Sequence, residues 1–400
     1  MGSRVAVRTL AMLLALTTAG PARGQFFDGF DASELATDPG AGNGWAFFTG
    51  AGEATMQLIR GGEGYASILV DATRDRRGVW WALIKRKVSD RMNLALLSQP
   101  GHELRIEARI RVSHAPRRVN LHVNTQRTTD FHTHLMEFDI PEAEGWHTIS
   151  MTTHGFSAQP GDSVFGQLAL MDWGPESYRV DIDYFRADVV DSARIGPDEG
   201  EQVPYHPPIP NPGKFQHRVR VAEDAVIDLD NPDVNQNNWS VLDGATRRRL
   251  LTVNGAQWVI LRFDLSTFAG KRVAGHGLLE LTTHSVLRTT DDLKDFGQVR
   301  VSEILGGDPA WRRETVTANS LRRGQPLESV FNGQMIIDWP VAEGDGHRTY
   351  FTISRPVLQR LIDGRTLGLA LRPLGSISAS FHAIGDPASP PAALLLDIYE

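Results

Sequence analysis

Apolar and polar residues alternate with a period of two over much of the first half of the chain. Residues 103–112 (ELRIEARIRV) switch between charged and apolar throughout, and 119–124 (VNLHVN) do the same with amides and an imidazole. Such alternation marks strands with one face on a core. Residues 66–70, 79–84, 131–139, 146–153, 164–171 and 178–189 are predicted as further strands, punctuated by turn-forming runs such as 159–162 (QPGD). The second half predicts strands at 219–228, 257–264, 277–283, 297–304, 349–353, 366–372 and 392–399. One helical turn is expected at 356–362, with Ser354 as its cap. No long helical period occurs. Many short strands divided by turns predict an all-β chain of β-sandwich or jelly-roll type.

Residues 191–216 contain six prolines: Pro197, Pro204, Pro207, Pro208, Pro210 and Pro212. Proline-rich sequence stiffens toward polyproline II, so this stretch reads as a spacer between a jelly-roll domain at 25–190 and a second β-sandwich at 217–400. Residues 1–24 read as a signal peptide. Arg4 and Arg8 precede a short apolar run (LAMLLALTT), and Ala22-Arg23-Gly24 offers a cleavage site before Gln25. The apolar run is too short to span a bilayer. The expected location is therefore secreted, extracellular or periplasmic, with no membrane span. Removing those residues takes away three arginines and no acid, moving the formal charge from −7 to −10. A general nucleic-acid partner is thereby disfavoured. The chain has no cysteine, so stability must come from packing in two domains of ample size.

The densest chemistry lies in 117–139 (RRVNLHVNTQRTTDFHTHLMEFD). With Val119, Leu121 and Val123 on the core side, Asn120, His122, Asn124 and Gln126 share the other face of one strand. A row of short hydrogen-bonding groups there suits sugar hydroxyls or a carboxylate. His132 and His134 are expected on one face of the following strand, and Glu137 and Asp139 on the other. Residues 101–127 hold six arginines and two acids, a local positive field that would attract an anionic polymer. These groups suit β-elimination from a uronate. Asn124, Gln126 and Arg127 would neutralise the carboxylate, and His122, or next His134, would take the proton. Tyr178 or Tyr184 would supply the acid. The opposing expectation is a solvated face with no chemistry.

Other readings stay open. Glu137 and Asp139, at i and i+2, have the spacing of a glycosidase pair, and Asp172 is a conspicuous acid within an apolar run. His122, His132 and His134 could hold a transition metal. Asp228, Asp230, Asn231 and Asp233 could form a structural calcium loop or a plain Asx turn. Trp45, Trp80, Trp81, Trp146 and Trp173 are either core or sugar-stacking residues. No phosphate loop, Gly-x-Ser-x-Gly elbow or His-Glu-x-x-His motif occurs.

The second half resembles the DNRLRE-type β-sandwich modules, some grouped as alginate-binding. The matching segments are 222–227 (AEDAVI), 258–265 (WVILRFDL), 308–311 (DPAW) with Glu314, Thr315 and Val316, and Phe381-His382-Ala383 with 390–399 (PPAALLLDIY). His382 and Ile384 replace that family's more usual residues. The first half, through 178–185 (YRVDIDYF) and the His122, Asn124, Gln126 strand, loosely resembles the jelly rolls of glucuronan-lyase-like and carbohydrate-binding proteins. The resemblances imply a secreted polysaccharide lyase acting on alginate or glucuronan. The alternatives are a non-catalytic carbohydrate-binding protein and an envelope structural protein.

Overall fold

The computed structural model describes residues 25–31, 34–36, 44–49, 55–60, 64–74, 81–171, 173–174, 176–203, 205, 207–243, 245–288, 297–334 and 336–399. The predicted leader, Trp80 and Asp172 lie outside the described residues.

Among the described residues of 25–203, thirteen strands form two facing sheets. They are β1 (Gln25–Asp28), β2 (Glu34–Ala36), β3 (Gly44–Thr49), β4 (Thr55–Arg60), β5 (Ala66–Asp71), β6 (Trp81–Lys87), β7 (His102–Val112), β8 (Arg117–Thr125), β9 (Leu135–Ile140), β10 (His147–Thr152), β11 (Val164–Met171), β12 (Ser177–Asp191) and β13 (Glu201–Val203). The first sheet runs β10-β7-β12-β5-β4, with β1 also on β12; the second runs β13-β9-β8-β11-β6-β3-β2. All their pairings are antiparallel except β2 with β3.

The period-two pattern explains the layering. Ile106 and Ile110 of β7 and Val180 and Ile182 of β12 meet Val119, Leu121 and Val123 of β8 across one core. Trp45, Trp173 and Phe185 fill it. Burying each such aliphatic side chain contributes about 1.5–3 kcal/mol relative to exposure. The all-β, sandwich expectation therefore holds. One local expectation does not. Strand 131–139 begins only at Leu135, because His132, Thr133 and His134 lie in the turn that leads into it. The two histidines thus do not share a strand face.

The described residues of 217–396 supply twelve more strands: β14 (His217–Asp228), β15 (Val241–Asp243), β16 (Thr246–Arg248), β17 (Leu250–Val253), β18 (Gln257–Phe263), β19 (Gly277–Arg288), β20 (Gln298–Ile304), β21 (Ile337–Trp339), β22 (Arg348–Ile353), β23 (Gly368–Leu374), β24 (Ile377–His382) and β25 (Ala393–Leu396). Two long strands change partners partway. β14 pairs with β25 and then, past a bulge after Val221, with β18. β19 pairs with β22 and β25 and then, past a bulge at His284, with β24. Bulges bend a strand and raise its twist, so β14 and β19 carry the sheet around a second core built on Phe351, Phe381, Leu261 and Leu371.

The proline-rich stretch is docked along part of its length. β13 pairs with β9, and Arg105 bonds Asp198 at 2.9 Å. Beyond it the two halves meet through buried charges. Arg360, on the helix Arg355–Ile362, grips Asp139 at 2.6 and 3.0 Å and Glu303 at 2.8 and 3.0 Å. Arg118 reaches Glu137, the Ile336 carbonyl and Ser354. Gln334 bonds the backbone of Arg118 on both its N–H and its carbonyl. Ser354 sits at the N-cap as expected, but its hydroxyl accepts from Arg118 and makes no cap bond.

Candidate ligand-binding face

Position by position, strand pairing fixes which side chains share the outer face of the second sheet. His122 lies opposite Gln167, and Gln167 lies opposite Lys85. Directly opposed residues point to the same side. One row therefore runs Leu135, His122, Gln167, Lys85 and Ala46 across β9, β8, β11, β6 and β3. A second row holds Asn124, Phe165 and Lys87, and a third holds Glu137, Asn120, Ala169, Leu83 and Phe48.

The predicted Asn120, His122, Asn124 face exists, but it is enclosed. Asn120 is fully buried, and in its satisfied orientation its amide nitrogen lies 3.2 Å from Glu137 Oε2. Asn124 donates to the Thr125 carbonyl and accepts from Gln167. His122 is 7% exposed, and its Nε2 has no hydrogen-bond partner among the described residues. Burial, with lesser help from His132 and Lys85, lowers its pKa to about 3. The imidazole is neutral at any ordinary pH and too weak a base to serve as the proton acceptor.

Gln126 leaves the row. It sits in the turn after β8, where its amide donates to Asp162 and accepts from the Ser163 N–H. Arg127 pairs with the same Asp162 at 2.5 Å. His134 packs edge-on against Phe156, and His132 stacks on Tyr205 at 5.0 Å. The three imidazoles of the proposed metal site therefore turn to different neighbours. Tyr178 lies in the sandwich core against Trp173, where burial raises its pKa well above the usual value. Tyr184 occupies the opposite sheet and donates to Glu107 at 2.6 Å, its pKa pushed up to about 12 by burial and that carboxylate. Neither tyrosine shares a face with His122, so neither of these two is placed to act as acid there.

The carboxylates are also accounted for. Glu137 is held by Arg118 and Asp139 by Arg360, at the junction of the halves. Both are too deeply engaged to flank a glycosidic bond. Asp228 accepts from the N–H groups of Asp230 and Asn231, as in an Asx turn, and Asp233 accepts from Asn319.

The expected field of six arginines is neutralised in place. Arg105, Arg109, Arg111, Arg117, Arg118 and Arg127 pair with Asp198, Asp183, Asp181, Glu176, Glu137 and Asp162 respectively. Lys85 behaves differently. Its ammonium lies 4.3 Å from the centre of the Phe165 ring and 5.9 Å from that of Phe48, with no carboxylate partner among the described residues. It is half-buried, and desolvation lowers its pKa. Phe48 is 38% exposed beside it. Sequence reading missed Lys85 because the strand was expected to end at residue 84. The sequence carries no alternation to mark it, since Ile84 is followed by three consecutive cations, Lys85, Arg86 and Lys87.

No protein-family model matches the chain, and no curated protein matches it. Solved structures with a similar fold include a family 11 carbohydrate-binding module from Clostridium thermocellum, in complex with a β-1,3-1,4-mixed-linked tetrasaccharide. It is 12% identical, covers 42% of this chain and 96% of that chain, and has a TM-score of 0.27. The N-terminal tandem of two family 22 modules from Paenibacillus barcinonensis Xyn10C is 13% identical, covers 95% of this chain and 99% of that one, and has a TM-score of 0.26. A protein of unknown function from Shewanella oneidensis MR-1 is 10% identical, covers 48% of this chain and 100% of that one, and also scores 0.26. At these scores the ligand has to be argued from this chain's own residues. No helix among the described residues is long and apolar enough to cross a membrane.

Proposed function

We propose that this chain is a non-catalytic carbohydrate-binding protein whose first half holds an acidic polysaccharide at the Lys85 edge of the second sheet. The observation that carries the reading is Lys85 itself. It is a desolvated ammonium over an aromatic ring with no carboxylate partner among the described residues, whereas each of the six arginines of 101–127 has one. A uronate carboxylate would give it the missing counter-charge. Phe48 and Phe165 offer apolar surface to the C–H face of a sugar ring. The accessible part of the row is its Lys85–Phe48 edge, because Gln167 and His122, the next residues along it, are buried at 3% and 7% exposure. In this reading residues 25–190 and 217–400 are separate β-domains, and the leader directs the chain out of the cell.

Affinity electrophoresis through gels containing alginate, glucuronan or a neutral β-glucan tests the proposal. Retardation is expected on a polyuronate, weakening with added salt as screening grows. Lys85→Ala should weaken it at least tenfold while leaving the circular dichroism unchanged. Absorbance near 235 nm, the signature of an eliminated uronate, should stay flat. Equal migration of the two proteins in every gel would overturn the reading, and a rising absorbance would restore the lyase.

A further inference from the structure

A second cluster lies in the other half of the chain, where β19, β24 and the loop at 340–347 come together. We infer that His284, His382 and Asp345 form a binding site for a divalent transition metal, zinc foremost. One nitrogen from each imidazole and one carboxylate oxygen lie within 4.8 Å of one another. His382 Nε2 is 2.8 Å and His284 Nδ1 is 3.3 Å from the same atom, Asp345 Oδ1. Ligand atoms of a tetrahedral zinc, each about 2.0–2.1 Å from the ion, stand about 3.3 Å apart. Each imidazole already sits near that spacing from Asp345, and the two nitrogens are within 4.8 Å of each other.

The backbone is shaped to present them. His284 is the extra residue of the β19 bulge, which re-aims its side chain from the ladder toward β24. Asp345 stands between Gly344 and Gly346, both at positive φ (99° and 80°), a turn that L-residues rarely adopt. Hydrogen bonds from Thr283 to the His347 carbonyl and from Gly346 to the Thr283 carbonyl tie this turn to the strand beside the bulge.

The surroundings of His382 are an independent argument. The side chain is 1% exposed and lies between two carboxylates, Asp345 at Nε2 and Asp386 at Nδ1. Asp386 Oδ1 is 3.2 Å from Nδ1, at too oblique an angle for a full hydrogen bond, and Nδ1 has no partner of good geometry. A neutral imidazole carries one proton and can satisfy one carboxylate only. A metal at Nε2 lets the proton reside on Nδ1, facing Asp386, which is the carboxylate–histidine–metal arrangement that fixes a ligand's tautomer. Asp386 is in turn held by the N–H groups of Arg249 and Ala388. Arg248 lies 3.5–3.7 Å from Asp243, Asp345 and Asp386, so with neutral imidazoles these groups leave two net negative charges, matching a divalent cation. Asp345 is half exposed, which gives an ion access from solvent and room for a water as fourth ligand.

Chelator-treated full-length protein titrated with zinc chloride in a calorimeter tests the site, with metal analysis after gel filtration. One zinc per chain is expected, bound at micromolar concentration or tighter, with protons released and the melting temperature raised. His284→Ala and Asp345→Asn should each weaken binding at least 30-fold, whereas His132→Ala, on the other half, should not. These two positions are not fully buried, so they remain informative if His382→Ala fails to fold. A wild-type protein that retains no zinc, or variants that bind as wild type does, would overturn the inference.

Discussion

At the scale of single residues, the same two properties, burial and the presence of a partner, decide what each candidate can do. His122 shows this most clearly. Its imidazole is held neutral to about pH 3 in the folded chain, whereas an unfolded one titrates near 6.5. Between those values the unfolded state binds the extra proton, so stability falls as pH drops from about 6.5 toward 3. Melting temperatures measured from pH 7 to pH 4 should therefore decline less steeply for His122→Gln than for the parent. Parallel declines would place the acid sensitivity in other groups. The row Asn120, His122, Asn124 was legible from alternation alone. Its enclosure was not, because a period of two assigns a side chain to a face and says nothing of what covers that face.

At the scale of elements, the chain forms strands where its alternation is strict, and the exceptions are local. β7 and β12 follow directly from 103–112 and 178–189. β13, by contrast, is three residues inside a proline-rich run, and it forms because Glu201, Gln202 and Val203 find the free edge of β9. β11 depends on a glycine that the pattern does not explain. A Cβ on Gly166 would approach the Phe185 ring to 2.8 Å and Val88 to 3.4 Å. Phe185 is fully buried and packs edge-on against Trp45, so it has little room to yield. Gly166→Ala should cost about 1–3 kcal/mol, read as a lower urea midpoint at unchanged slope. An unchanged midpoint would mean that the core around Phe185 is loose.

At the scale of the whole molecule, the junction of the halves is ionic. Burial alone would lower the Arg360 pKa, yet Glu303 and Asp139 together raise it. Removing one member of such a group strands the others without a counter-charge, at a typical cost of about 3–5 kcal/mol. Arg360→Ala should split a single calorimetric melting transition into two as the halves uncouple, whereas one unbroken transition would mean that other contacts suffice. None of this junction was readable beforehand, since Asp139 and Arg360 lie 221 residues apart and neither carries a local signature. Glu137 and Asp139 look catalytic in sequence for the reason that makes them good clasps, two acids on one strand face.

The clasp also bears on how a long polymer would be held. Two modules on a slack tether enhance each other through effective concentration, which falls off with tether length. Here the halves are locked by Arg118, Gln334 and Arg360, and the proline-rich run is pinned by β13. A chain that touches both halves therefore meets contacts at one set distance. It either matches that distance, and gains avidity without the entropic loss of ordering a linker, or it engages one half only.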